Sequence, residues 1–272
     1  MFRVESLPDQ IARQEGRHLF GLNPQGYEDS RPDYPEWIYE RLRSCGALVP
    51  GAPTLEIGAG TGRATRKLLE YGADPLTIVE PDERFAAMLE SATNASSAVC
   101  RVIRRSFEDA DLAPDQFALV AAATSFHWLD PIPALQKVRR LLEHDGVGGL
   151  FWNVLQDLHK DDPFHDATTS LLSKLAVSPS GAPDTIPYAL DRKAREADAR
   201  AAGFESVDYF ESRWTLVIGT EHVGKLYEGF SHIQRLDPAS RANLLAELMH
   251  IADSQFNGRV ERNITSCLYL LA

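Results

Sequence analysis

The sequence predicts an α/β chain built on a doubly wound, mostly parallel sheet. Along residues 54–153, short, largely apolar runs without strict alternation are interspersed with helical patterns. Strands of that kind are buried on both faces, as parallel strands beneath helices are. The stretch Glu56-Ile57-Gly58-Ala59-Gly60-Thr61-Gly62 follows one such run and precedes a helical pattern. Its glycines let a backbone turn come close to a ligand, where any Cβ would collide. An acidic residue, Glu80, closes the next apolar run 22 positions after Gly58. In a doubly wound sheet that position lies beside the turn and faces the hydroxyls of a ribose.

The elements follow in order. Residues 1–50 form an N-terminal extension with a helix over 35–45. The first strand is 54–57, short enough to be buried. A helix over 61–71 is stopped by Gly72. The second strand is 76–80 and the second sheet-covering helix 82–91. Strands at 99–103 and 117–123, a helix at 132–143 and a strand at 146–153 complete the regular alternation. Residues 154–190, rich in Pro, Ser, Thr and Asp, break it and read as an insertion with one helix around 167–175. The pattern resumes with a helix at 192–202, stopped by Gly203. Strand-like runs at 207–218 and 259–271 enclose helical stretches near 223–230 and 239–253. Two strands separated by helices at the chain's end suggest an antiparallel final strand slotted into the sheet edge, making seven strands. The expectation is a single domain over 1–272, with 1–50 as a lid and 154–190 and 220–256 as a roof over the pocket.

The bulk properties narrow the function. The chain has 272 residues, 44% of them hydrophobic and 25% charged, which fits one large α/β domain. A formal charge of −11 argues against a broad electrostatic grip on nucleic acid. Cys45, Cys100 and Cys267 are odd in number and far apart, and no C-x-x-C pair suggests a metal site or disulfide framework. Residues 1–10 lack a signal-peptide core and no run approaches the length of a membrane span. A soluble, cytoplasmic setting is expected, with no nucleic-acid or membrane partner. His159 and His165 flank an acidic run, but nothing fixes a metal-binding spacing there, and a solvated loop with no metal is the expectation.

Glu80 is the residue whose chemistry is easiest to read. A carboxylate can accept both ribose hydroxyl protons in a bidentate contact. Capping the following helix is the alternative role for Glu80, as it is for Asp82.

The stretch Leu-Glu-Ile-Gly-Ala-Gly-Thr-Gly, with Glu80 closing the next strand, resembles motif I and its acidic partner in class I S-adenosylmethionine-dependent methyltransferases. The resemblance runs from about residue 34 to 153 and implies the Rossmann-like methyltransferase fold. It implies that Glu56, Gly58, Ala59, Gly60 and Gly62 line the amino-acid end of S-adenosyl-L-methionine. Glu80, followed by Pro81, would hold the ribose. Ser106 and Phe107 occupy the adenine segment, where many members carry Asp at the position of Ser106. The segment Thr124-Ser125-Phe126-His127-Trp128 resembles the His-Trp form of the motif after strand four found in small-molecule methyltransferases, including relatives of trans-aconitate methyltransferase. Strand carboxyl ends form the ligand crevice, so Thr124 would face the cofactor, with His127 and Trp128 near the methyl group. His127 is the candidate catalytic base; the other reading makes His127 and Trp128 pocket wall. Arg31-Pro32-Asp33-Tyr34-Pro35 is similar to an N-terminal lid of this subgroup, making Tyr34 a cofactor contact and Tyr27 and Arg31 substrate contacts. Asn153, after Trp152, closes strand five at the substrate. Phe230, Ser231, Trp214 and Tyr227 are further pocket candidates.

The expected reaction is methyl transfer to a small-molecule acceptor, oxygen first, with carbon and nitrogen open. A nicotinamide oxidoreductase is the first alternative, but it expects G-x-G-x-x-G/A and the sixth position here is Arg63. A non-catalytic cofactor-binding protein of the same fold is the second. Monomer and homodimer both stay open.

Overall fold

A computed structural model of the chain describes residues 9–22, 24–94, 96–181 and 185–272, apart from the side chains of Gln25 and Tyr27. Tyr27, expected at the substrate, therefore lies outside the described side chains. Helices α1 (Arg13–Leu19), α2 (Pro24–Ser30) and α3 (Glu36–Ser44) precede the sheet. Strand β1 (Thr54–Ile57), α4 (Arg63–Glu70), β2 (Leu76–Val79), α5 (Glu83–Thr93), β3 (Cys100–Ile103) and β4 (Phe117–Ala123) follow. Then come α6 (Pro131–Leu141), β5 (Leu142–Val154), α7 (Pro163–Leu172), α8 (Arg192–Ala201) and β6 (Val207–Gly219). Helices α9 (Thr220–Glu228), α10 (Ser231–Gln234) and α11 (Pro238–Phe256) lead into β7 (Arg259–Leu271).

The seven strands lie in the order β3-β2-β1-β4-β5-β7-β6. Strands β1 to β5 pair in parallel, and β7 is antiparallel to both β5 and β6. The final strand is antiparallel and slotted into the sheet edge, as the sequence suggests, between β5 and the outermost strand β6. Composition explains this. Residues 262–271 of β7 are buried almost without break, whereas β6 carries Asp208, Glu211 and Arg213, the charged pattern an exposed edge tolerates.

Successive residues of β4 enter different cores. Leu119 and Ala121 pack with Ile38, Leu42, Leu68 and Ile78 on one face. Val120 and Ala122 pack with Leu135, Val138, Trp152 and Tyr269 on the other. Period-two alternation between two apolar layers is what an all-apolar strand requires. A third cluster, around Phe164, Tyr227, Leu248 and Val260, joins α7, α9 and α11 to β7 above the carboxyl edge of the sheet.

Helix boundaries differ from expectation for local reasons. Helix α4 starts at Arg63 because Gly62 adopts a left-handed φ of 83°. Helix α7 starts at Pro163, earlier than the 167–175 expected, because Asp162 caps it by accepting from His165 N–H at 2.9 Å and proline suits the first helical position. Helices α1 and α2 have no counterpart in the sequence reading. Among the described residues no helix is long and apolar enough to cross a membrane.

Candidate active site

The site grows from the end of β1. Gly58 N–H donates to Val79 O at 2.8 Å, holding the turn against β2. Gly58, Gly60 and Gly62 have φ of 67°, 57° and 83°, the region L side chains avoid. Their surroundings differ. A Cβ on Gly58 would stand 2.8 Å from Ser125 Cβ, and one on Gly62 2.9 Å from Leu89 Cδ2. A Cβ on Gly60 would meet no atom of the described residues beyond its chain neighbours within 4 Å, because that position faces an open cavity of about 660 Å³.

Glu80 follows β2 and is 4% exposed. It accepts from Gly60 N–H at 2.8 Å and from Asp82 N–H at 3.0 Å, one to each carboxylate oxygen. Each oxygen keeps a further lone pair. Burial pushes this carboxyl up to about 7, against the pull of the two backbone donors. Glu56 lies behind the turn, fully buried and not part of the cavity lining. Thr65 of α4 donates to its Oε2 at 2.6 Å, and its Oε1 has no hydrogen-bond partner among the described residues. Burial raises this carboxyl as well, to about 7.

The end of β4 forms the adjoining wall. Thr124 holds φ at 50°, an outlier for a β-branched residue. It is pinned by Thr124 N–H donating to Phe151 O at 2.8 Å and by Tyr34 Oη donating to its hydroxyl at 2.9 Å. Ser125 Oγ donates to Ile57 O at 2.5 Å, tying the ends of β4 and β1 together. A single helical turn, Phe126–Trp128, follows. His127 is 5% exposed, and Trp152 Nε1 donates to its Nδ1 at 3.2 Å. Burial first, then Arg31 and Arg13, push its imidazole down to about 3.

The N-terminal segment and the helices after β6 close the cavity. Arg17 of α1 donates to both oxygens of Glu108 and to Trp128 O, while Phe20 meets the Trp128 ring edge-on at 5.4 Å. Arg31 donates to Gly229 O at 3.2 Å and stacks over the Phe230 ring at 4.4 Å. Asn153 Nδ2 donates to Asp33 O at 3.1 Å, and its Oδ1 accepts from Ser266. Asn153 thereby holds the segment that carries Tyr34.

Gly58, Ala59, Gly60, Glu80, Pro81, Phe107 and Thr124 all line one cavity with Arg31, Tyr34, His127, Trp128 and Asn153. Tyr227, Phe230 and Ser231 line it too. Gly62 and Ser106 stand behind the lining, Ser106 donating to Asp109 at 2.7 Å. Trp214 lies elsewhere, donating to Ser266. Residues not anticipated are Arg17, Phe20, Tyr188, His232 and Arg262. They come from four separate parts of the chain, with no local motif. Glu80 is the one carboxylate among the described lining residues.

A glycine turn and a buried acid at the carboxyl edge of a doubly wound sheet form the arrangement in which such folds bind nucleotides. Residues 55–148 match the model of a methyltransferase domain. The chain is 28% identical over 250 residues to an uncharacterized methyltransferase of Schizosaccharomyces pombe, covering 89% of this chain and 92% of that one. It is 32% identical over 142 residues to an uncharacterized methyltransferase of Mycobacterium bovis, covering 52% of this chain and 55% of its relative. Among solved structures it is similar in fold to phosphoethanolamine N-methyltransferase 2 of Haemonchus contortus. There the TM-score is 0.55 at 13% identity, over 100% of this chain and 61% of that one. Together these similarities support an S-adenosylmethionine-dependent methyltransferase.

Proposed function

We propose that this enzyme moves the methyl group of S-adenosyl-L-methionine to an oxygen of a small-molecule acceptor held under the roof. One observation carries the reading: the open space at Gly60, beside the Glu80 carboxylate, is one end of a cavity that continues past His127 to Arg262. The fold and the S-adenosylhomocysteine held by the Haemonchus contortus protein point to the cofactor. The residues present fit it. Gly60 leaves room for close approach, Glu80 has lone pairs left for ribose hydroxyls, and Glu56 has an unpartnered oxygen behind the amino-acid end.

When bound, the cofactor supplies an electrophilic methyl on a sulfonium. The chain's residues position and shield. Gly58, Ala59 and Gly60 form the cradle with Gly62 and Glu56 behind it, Glu80 and Pro81 take the ribose, and Phe107, with Ser106 behind it, borders the adenine. Thr124 and Tyr34 border the sulfonium end, with Arg31, His127, Trp128 and Asn153 at the acceptor. Residues 1–50 act as a lid, and 154–190 with 220–256 as a roof. Fixing a nucleophile at near-attack distance in a water-poor pocket provides much of the acceleration. Oxygen is favoured because no acidic side chain among the described residues lines the acceptor half to hold an ammonium.

Transfer of labelled methyl from S-adenosylmethionine to a panel of small acids, alcohols and amines tests the assignment. Labelling of amines alone would overturn the choice of oxygen, and tight binding of NAD with none of S-adenosylhomocysteine would overturn the class. The glycines give a second expected result. Gly60→Ala should cost about 1–2 kcal/mol in stability, from φ alone, yet strongly impair S-adenosylhomocysteine binding by filling the cavity. Gly58→Ala, which also drives a methyl into Ser125, should cost more. Denaturant melts beside calorimetric titration check both.

A pH dependence follows from Glu80. Its carboxyl, near 7 in the free protein, binds ribose hydroxyls best when ionised, so binding draws its proton off. Affinity for S-adenosylhomocysteine should be full above about pH 8 and fall up to about tenfold per unit below about pH 7. Glu80→Gln should flatten this trend. Affinity that rises on acidification would contradict the role of Glu80.

A further inference from the structure

His127 has the form of a base but is held in the arrangement of a donor. An indole N–H can only donate. Since Trp152 Nε1 donates to His127 Nδ1 at 3.2 Å, Nδ1 must present its lone pair, and the single proton of the neutral ring sits on Nε2. Nε2 has no protein partner among the described residues. It is not among the sealed, unpartnered polar atoms either, and the residue lines the cavity. The ring is fixed between Trp128 and Tyr188, with centroids at 5.2 and 6.2 Å.

We infer that His127 serves the acceptor as a hydrogen-bond donor through Nε2–H, locked in that tautomer by Trp152, and is not a general base. To act as a base it would have to accept a proton at Nδ1, where the indole N–H already points. The other route, a switch of tautomer, would set two N–H groups against each other in a buried site, each left unsatisfied. Burial, with Arg31 and Arg13 nearby, opposes a positive imidazole in the same direction.

The inference rests on the methyl-transfer reading and narrows its acceptor. The group meeting His127 is an oxygen that accepts a hydrogen bond, a carboxylate or carbonyl type. It is not a hydroxyl or amine that gives its proton to this imidazole. An oxyanion forms its bond to methyl with a lone pair it already has, and the electron pair of the breaking carbon–sulfur bond goes to sulfur. No proton changes hands, so none need reach His127. Trp152 is a positioning residue, acting through the ring it orients.

The first test needs no acceptor. Histidine-nitrogen NMR of the isotope-labelled protein at about pH 7 should show His127, assigned by its loss in His127→Gln, as the Nε2–H tautomer. Trp152→Phe should turn it into a tautomer mixture. A proton on Nδ1, or titration near the ordinary histidine value, would overturn the inference.

The second test is rescue. Glutamine places an amide N–H where Nε2–H stands and has no basicity. Against a panel of small carboxylic acids, His127→Ala should lose about 10- to 100-fold in kcat/KM, the worth of a charge-assisted bond. His127→Gln should recover most of it, with S-adenosylhomocysteine affinity unchanged in both. A glutamine variant as inactive as alanine would show that basicity is needed. Absence of any S-adenosylhomocysteine binding would count against the methyl-donor reading instead, leaving the tautomer spectrum to decide the role of His127.

Discussion

Glu80→Ala is expected to weaken S-adenosylhomocysteine binding by about 10- to 150-fold, the worth of charge-assisted hydrogen bonds of roughly 1.5–3 kcal/mol. Two effects add. The ribose loses its acceptor, and the N–H groups of Gly60 and Asp82 lose theirs. Gly60 N–H borders the cavity and can turn to water, so the turn keeps most of its shape; Asp82 N–H is the costlier orphan. Calorimetric titration gives the affinity and a melt without ligand gives the structural share. A melt lowered only modestly, beside a large loss of affinity, assigns the effect to the ribose contact. Unchanged affinity would remove Glu80 from the site.

Much of the frame that places Glu80 is legible in local sequence. Strands β2 and β4 are short and largely apolar, and burial on both faces demands that pattern; β1 is as buried but carries Thr54 and Glu56, and the edge strand β3 is only partly buried. The glycine turn is legible for the same reason: positive φ and close approach both exclude a side chain. Helix α1 is different. Arg13–Leu19 has no apolar stripe, and its one buried residue is Gly16. A Cβ there would fall 2.0 Å from the Trp128 ring, so what orders this helix is tertiary contact with an indole more than 100 residues away. The start of α7 was legible, in Asp162-Pro163, but an apolar-period reading passes over a cap.

The site divides along the same line. Residues on strand ends, such as Glu80, Thr124, His127 and Asn153, could be named because the fold fixes where strand ends go. What each side chain does depends on its neighbours across the sheet. His127 looks like a base in sequence, where Trp152 is 25 positions away. Parallel pairing of Ala123 with Phe151 brings the two together, and the indole then decides which ring nitrogen holds the proton. Arg17 and Arg262 carry no motif at all; α1 and β7 deliver them to the cavity from opposite ends of the chain.

Arg262 gives the largest expected effect on stability. It is 3% exposed on β7, and its guanidinium donates to Asp162 at 2.9 Å, to Leu155 O at 3.2 Å and to the Tyr227 hydroxyl. Asp162 also caps α7 through His165 N–H. One buried cation thus joins β7, the start of α7 and, through Tyr227, α9. Arg262→Met keeps the apolar bulk but leaves Asp162 buried without its counter-charge. Breaking one side of such a pair costs about 3–5 kcal/mol, lowering the melting midpoint by roughly 6–15 °C. Adding Asp162→Asn should restore part of the loss, since the neutral side chain needs no counter-charge and can still accept at the cap. The cradle of Gly58, Gly60 and Glu80 belongs to the other end of the cavity, so S-adenosylhomocysteine affinity, measured well below the new midpoint, should change little. KM for the acceptor should rise, because Arg262 and Tyr227 both line the cavity and have lost the bond between them. A midpoint that stays in place would mean that the apolar cluster around Phe164 and Leu248 holds the roof unaided.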